Sequence, residues 1–75
     1  MTLAEYTAER GSTKIVAIDA DLTYTTIYQI AKHFRFADLS TAFRIEMATK
    51  GVVRAESMVT PKSVPVIAYL RGLHA

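Results

Sequence analysis

Side chains that form hydrogen bonds without carrying negative charge cluster on the third predicted helix. Tyr24, Thr25, Tyr28 and Gln29 fall on the face that this helix would expose. Glutamine can bind adenine through two hydrogen bonds, and threonine can contact thymine through its hydroxyl or methyl group. The N-terminal part of such a helix enters the major groove of DNA in several protein classes. We therefore expect these four residues to contact DNA bases.

Groups that can contact phosphates surround this face. Lys32, Arg35 and Lys14 are cations, and Thr23 offers a hydroxyl at the start of the helix. The stretch 22–37 contains no acidic residue, and a surface that approaches phosphates requires that absence. These four residues are the predicted phosphate contacts. The alternative is an ordinary solvated helix face, with charges distributed by chance in a small protein.

The spacing of small and apolar residues predicts how this helix is held. Relative to Ile27, Ala17 lies ten residues earlier, Leu22 lies five earlier and Ile30 lies three later. Two helices that cross closely need a small residue at their contact, and Ala17 supplies it. The three larger residues would fill the angle between the helices. This pattern predicts a helix-turn-helix unit at residues 13–32.

The turn of this unit needs a residue that tolerates positive φ. Glycine is the usual choice, and Asp21 stands there instead. Thr23 is predicted to cap the third helix, which extends to about His33. The buried stripe of this helix is predicted to contain Ile27, Ile30, Ala31 and Phe34.

Local signals predict two helices before this turn. Thr2 and Glu5 have the spacing of a capping box, and Gly11 suits the left-handed position that ends the first helix. Ser12 can cap a second helix that extends to about Ala20. Because three residues of the segment 14–18 are β-branched, a strand remains the alternative there.

The C-terminal half predicts a fourth helix and, after it, a last element that is either a helix or an edge strand. A fourth helix begins at Asp38 or Ser40 and ends at Gly51. The segment 52–58 is either irregular chain or a short strand. Then Ser63 can cap a last helix, with Pro65 in its first turn.

Gly72 would stop this last helix, and the alternative for residues 64–70 is an edge strand. The chain is thus predicted to be an all-α domain of four or five helices that spans residues 1–75.

The bulk composition limits the classes of protein that fit. The 75 residues are 51% hydrophobic and 21% charged, which allows one domain with a modest core. The absence of cysteine excludes a disulfide scaffold and the usual zinc-finger ligand sets. His33 and His74 have no second ligand at metal spacing, and no phosphate-binding loop or catalytic triad is visible. We expect no metal, no cofactor and no enzymatic activity.

Neither a signal peptide nor an apolar stretch long enough to span a membrane is visible. The sequence therefore predicts a cytoplasmic protein without membrane contact.

Several segments together resemble the Cro-like repressors of prophages, in particular the YdaS antitoxin-like group of the lambda-repressor-like class. The opening 2–6 and the pair 11–12 are similar to that group's first helix and second-helix cap. Residues 25–29 resemble its recognition helix, and residues 45–53 resemble its fourth helix and exit. The resemblance covers Thr2 to about Met58.

This resemblance implies a lambda-repressor-like helix-turn-helix fold of four or five helices, binding to operator DNA and transcriptional repression. It also implies a bacterial or phage gene, with a toxin as a candidate partner. Asp21 and His33 stand where glycine is common in that group, and Phe36 replaces a frequent proline.

One helix-turn-helix contacts few base pairs, so useful affinity normally requires a dimer on half-sites about 34 Å apart. The candidate dimerisation extension is residues 52–75, through Val66, Ile67, Tyr69 and Leu70. Phe34 and Phe36 form the alternative patch. The competing prediction is a protein-interaction module, such as a toxin-neutralising partner with little or no DNA binding.

Overall fold

A computed structural model describes residues 1–10 and 12–73 of the chain. These residues form five α-helices and two short 3₁₀ turns. No strand occurs among those residues. The helices are α1 (Leu3–Glu9), α2 (Thr13–Ala20), α3 (Tyr24–Ala31), α4 (Leu39–Ala48) and α5 (Val64–Leu73). The 3₁₀ turns Ala55–Ser57 and Pro61–Ser63 connect α4 to α5. The strand alternatives for residues 14–18, 52–58 and 64–70 are therefore wrong.

Side-chain caps begin the first four helices, as predicted. Thr2 forms the complete capping box, since its hydroxyl accepts the Glu5 N–H (3.2 Å) and its own N–H donates to the Glu5 carboxylate (2.9 Å). Asp38, not Ser40, caps α4 and accepts the Thr41 N–H at 2.7 Å. The hydroxyls of Ser12 and Thr23 accept the N–H groups of Ile15 and Thr26. Each cap satisfies a backbone donor that the first helical turn would otherwise leave free.

One core connects the helices. Its largest fully buried side chains include Ile27 of α3, Ile45 of α4 and Ile67 of α5. Thr49 is a buried polar residue at the end of α4. Its hydroxyl lies 3.0 Å from the Ile45 carbonyl and accepts the Val53 N–H at 3.2 Å. The bond satisfies a buried donor where the chain leaves α4.

Two helix ends differ from the sequence prediction. Helix α3 ends at Ala31, and His33 adopts φ 61°, so Phe34 leaves the helical stripe and is 71% exposed. Gly72 lies inside α5 and does not stop it, because one glycine weakens a helix by only about 1 kcal/mol. Pro65 lies in the first turn of α5 as predicted, and Ser63 belongs to the preceding 3₁₀ turn.

The predicted left-handed glycine at Gly11 lies outside the described residues, as does His74. Helix α1 ends at Glu9, and the Arg10 N–H donates to the Tyr6 carbonyl. None of the described helices is both long and apolar enough to cross a membrane.

Candidate nucleic-acid interface

The turn between α2 and α3 sets the angle between these helices. Asp21 has φ 58°, the left-handed conformation predicted for it. The Leu22 N–H donates to the Ala17 carbonyl (2.8 Å), and the Asp21 N–H donates to the Ile18 carbonyl (3.2 Å). This pair of bonds is a Schellman motif, which ends α2 and turns the chain into α3. Ala17 is buried, in agreement with its predicted place at the helix contact.

Helix α3 has one buried face and one exposed face. Ile27, Ile30 and Ala31 lie in the core. Of the predicted base contacts, Tyr24, Thr25 and Tyr28 are exposed, while Gln29 is half-buried. The exposed face therefore begins at the N-terminus of α3, the part that a major groove would receive.

Three aromatic rings form a continuous row along this face and past its end. The Tyr24 and Tyr28 rings are nearly parallel, with centroids 6.3 Å apart. The Phe34 ring meets Tyr28 edge to face, also at 6.3 Å. The ammonium of Lys32 lies 5.8 Å from the Tyr28 centroid. We call Tyr24, Tyr28 and Phe34 the aromatic row.

The predicted phosphate contacts occupy different places around α3. Lys32 follows α3 directly, Arg35 lies in the next loop, and Lys14 lies in the first turn of α2, all three exposed. The Thr23 hydroxyl caps α3 and lies 2.8 Å from the Thr26 hydroxyl. The Thr23 hydroxyl is thus already engaged as the N-cap of α3. The three cations lie on separate segments of the chain.

A shallow cleft of about 250 Å³ lies beside the aromatic row. Its lining includes Tyr24 and Tyr28 of α3, Lys32, and Ala4 and Thr7 of α1. None of its eight lining residues is acidic. The cleft extends the α3 face toward α1, and Lys32 is the one charged residue among those that line it.

An ionic cluster that joins α4 to α5 was missed from the sequence. Arg71 donates to both Glu56 carboxylate oxygens (2.7 and 2.9 Å) and to both oxygens of Glu46. Glu46 also accepts the Ala55 N–H at 2.9 Å. The hydrogen bonds from Arg71 lower the pKa of Glu56 to about 2 and also lower the pKa of Glu46. We call Glu46, Glu56 and Arg71 the Arg71 clamp.

No local signal predicts this clamp, because its partners lie 25 and 15 residues from Arg71. The clamp has a structural role, because one guanidinium holds two ionised carboxylates from different parts of the chain. The Arg71 guanidinium also lies 5.7 Å from the Phe43 ring centroid. Among the described residues no three His, Cys, Asp or Glu side chains are placed to hold a metal ion.

The predicted dimerisation extension is only partly available as a surface. Ile67 is fully buried in the core, so its predicted place on that surface is wrong. The reason is that α5 packs this side chain inward. Val66 and Tyr69 are exposed, and Leu70 is half-buried in a cleft of about 320 Å³ with Phe43. The alternative patch, Phe34 and Phe36, is exposed.

The described residues thus form a small all-helical domain with five α-helices. Comparison of the chain with protein-family models, with curated proteins and with solved structures finds no match.

Proposed function

We propose that the chain is a sequence-specific double-stranded DNA-binding protein, a transcriptional repressor of phage or prophage Cro type. In this proposal α2, the Asp21 turn and α3 form a lambda-repressor-like helix-turn-helix. Helix α3 enters the major groove of operator DNA, and two copies bind one operator. The proposal assigns the chain no catalytic reaction and no cofactor.

The observation that carries the proposal is the exposed, acid-free face of α3. Tyr24, Thr25 and Tyr28 project from its N-terminal half, and residues 22–37 contain no carboxylate. A phosphate-lined groove repels acidic side chains. A helix face without carboxylates is therefore better suited to bind DNA than an ordinary exposed face that carries charges of both signs. The short turn at Asp21 supports it, since α2, this turn and α3 follow one another in the order of a helix-turn-helix.

Base reading is assigned to Tyr24, Thr25, Tyr28 and Gln29, and phosphate contact to Thr23, Lys32, Arg35 and Lys14. Gln29 is half-buried, so it presents less of its side chain to a base than the exposed Tyr24 and Tyr28 do. The three cations supply affinity without sequence preference, whereas the four base-reading residues supply the preference.

The test is a gel-shift titration with DNA from upstream of the gene, beside a scrambled duplex of equal length. We expect preferential binding of the upstream DNA, lost in Gln29→Ala and Tyr28→Ala. Each lost base contact should weaken specific binding by about 1–3 kcal/mol. Ser40→Ala, an exposed change in the first turn of α4, is the control that retains binding.

Circular dichroism of every variant checks that the helices persist. If all duplexes bind equally at every salt concentration, or none binds, this proposal fails.

A second candidate function is a protein-interaction module, such as an antitoxin or toxin-neutralising partner with little or no DNA binding. The observation that favours it is the exposure of Phe34 (71%) and Phe36 (60%) in one loop. Exposed apolar residues close together often mark contact surfaces for proteins. Absence of DNA binding together with stable capture of the product of the adjacent gene would favour this function.

A further inference from the structure

The aromatic row is exposed to a degree that folding alone does not explain. Phe34 is 71% exposed, Tyr24 is 56% exposed and Tyr28 is 41% exposed, although each ring contacts its neighbour. Aromatic side chains of this size normally contribute most of their area to a core or an interface. Three in a row on the surface therefore indicate a ligand with flat apolar faces.

Hydrogen bonds hold the loop that carries Phe34. The Phe34 N–H donates to the Gln29 carbonyl (2.9 Å), in a Schellman motif that ends α3. Three residues later, the Ala37 N–H donates to the Met58 carbonyl (2.8 Å), and Ala37 is buried. Both sides of the loop are therefore anchored through the backbone, and the Phe34 ring lies beside Tyr28.

The charges around the row select the ligand. Lys32 lies over Tyr28, Arg35 follows Phe34 in sequence, and no carboxylate occurs in residues 22–37. Rings flanked by cations match the base faces and phosphates of a nucleic acid. An apolar peptide could pack against the rings, but the cations would contribute little to its binding.

The spacing of the rings indicates which form of nucleic acid fits. Consecutive centroids are 6.3 Å apart, whereas each strand of a duplex advances by only about 3.4 Å per nucleotide. Bases that stack on successive rings must therefore separate from one another. Such separation requires an extended, unpaired strand.

We infer that the aromatic row binds unpaired nucleobases by stacking, so that the chain also binds single-stranded nucleic acid. This activity goes beyond the proposed function. It shares Tyr24 and Tyr28 with the proposed duplex interface, but Phe34 is not among the residues assigned to base or phosphate contact with the duplex. That difference allows the two activities to be tested separately.

The experiment uses the full chain and an oligothymidylate of about 12 nucleotides, a length within the usual range of such sites. The chain has four tyrosines and no tryptophan, so stacking on Tyr24 and Tyr28 should quench its intrinsic fluorescence. Phe34→Leu should weaken binding about tenfold, because each stacked base contributes on that order. Phe36→Leu is the matched control, since Phe36 is 60% exposed in the same loop but does not pair with the row.

An abasic oligomer with the same number of phosphates separates stacking from charge attraction, and we expect it to bind far more weakly. An oligouridylate tests for RNA, and binding to either polymer supports the inference. Equal binding of the abasic oligomer, unquenched tyrosine fluorescence or equal losses in Phe34→Leu and Phe36→Leu would overturn it.

Duplex binding by the same variants distinguishes the two proposals. Phe34→Leu should leave the affinity for upstream duplex DNA unchanged. A chain that binds oligothymidylate but no specific duplex contradicts the proposed function alone. A chain that binds the duplex but no single strand contradicts this inference alone.

Discussion

Within residues 1–10 and 12–73, three residues with side chains occupy the left-handed conformation at the ends of helices. Asp21 (φ 58°) follows α2, His33 (φ 61°) lies two residues after α3, and Lys50 (φ 56°) lies two residues after α4. At each site the next residue donates its N–H back to a carbonyl of the helix, which gives three Schellman motifs. The left-handed conformation costs a residue with a side chain roughly 1–2 kcal/mol, and aspartate somewhat less. Glycine at these three sites could therefore raise the free energy of unfolding.

Asp21→Gly tests this conclusion at the turn between α2 and α3. The substitution should leave the free energy of unfolding unchanged or raise it by up to about 1 kcal/mol, since glycine adopts this φ without a steric cost. Urea denaturation followed by circular dichroism measures the change.

Two variants serve as controls for this substitution. Asp21→Ala should destabilise the fold, because alanine has the side-chain cost without the local hydrogen bonding of aspartate. Asp19→Gly, at an exposed position inside α2, should cost a few tenths of a kcal/mol from helix propensity alone. A clear loss of stability in Asp21→Gly would instead mean that the carboxylate makes a contact that the fold requires.

Helix starts are the features that the sequence predicts best. A cap such as Thr23 and the N–H it accepts lie three residues apart, so the signal is local and independent of tertiary structure. The ends of α3 and α5 are harder, because their limits depend on neighbouring elements. Phe34 continues the helical periodicity of Ile27 and Ile30 in the sequence. It nevertheless lies outside α3, because the chain turns at His33.

Side-chain placement in the candidate site was predicted only in part. Tyr24 and Tyr28 flank the buried stripe of α3, three residues before Ile27 and one residue after it, and both are exposed as predicted. The contact between Tyr28 and Phe34 does not follow, because it depends on the turn at His33. The Arg71 clamp depends on the packing of α5 against α4 and the Ala55–Ser57 turn, which no pattern within one helix encodes.

The Arg71 clamp is a polar link between α5 and the rest of the domain. Its arginine and two carboxylates are each less than about one-third exposed, so solvent screens the interaction only partly. Arg71→Met should lower the free energy of unfolding by about 1–2 kcal/mol, since it removes charge-assisted hydrogen bonds and leaves Glu46 poorly paired. Arg44→Met, an exposed change on α4, is the control and should have little effect.

Acidification gives this prediction a signature that lost packing alone would not produce. Arg71 lowers the pKa of Glu56 to about 2, so its stabilisation is complete above the ordinary carboxyl pKa near 4.5 and disappears as the pH falls toward 2. Glu46 contributes with the same sign. The unfolding free energy of Arg71→Met should therefore fall less between pH 5 and pH 2. Parallel pH profiles for this variant and the unmodified chain would contradict the clamp's electrostatic role.

The dimensions of the domain bear on how it would engage an operator. Its Cα atoms span 31 × 23 × 20 Å, whereas half-sites of a two-fold operator lie about 34 Å apart. One copy can therefore present α3 to one half-site only. Val66, Tyr69 and Leu73 of α5 are exposed, and in the proposed repressor they would contact a second copy. The proposed repressor thus requires two copies on the DNA.

The salt dependence of duplex binding counts the phosphate contacts and hence the copies. Lys14, Lys32 and Arg35 provide three cationic contacts per copy in the proposed interface. Because each neutralised phosphate contributes about −0.9 to the slope of log K against log salt concentration, one bound copy predicts a slope near −3 and two copies a slope near −5. Titrations of upstream duplex DNA over a range of salt concentrations measure this slope.

Lys32→Gln should make that slope shallower by about 1 for each bound copy, while Arg44→Gln should leave it unchanged. A slope near −3 that Lys32→Gln changes by only about 1 would show that a single copy binds. A slope unaffected by Lys32→Gln would remove Lys32 from the interface. In that case, of the three assigned cations, Lys14 and Arg35 would remain to contact the phosphates.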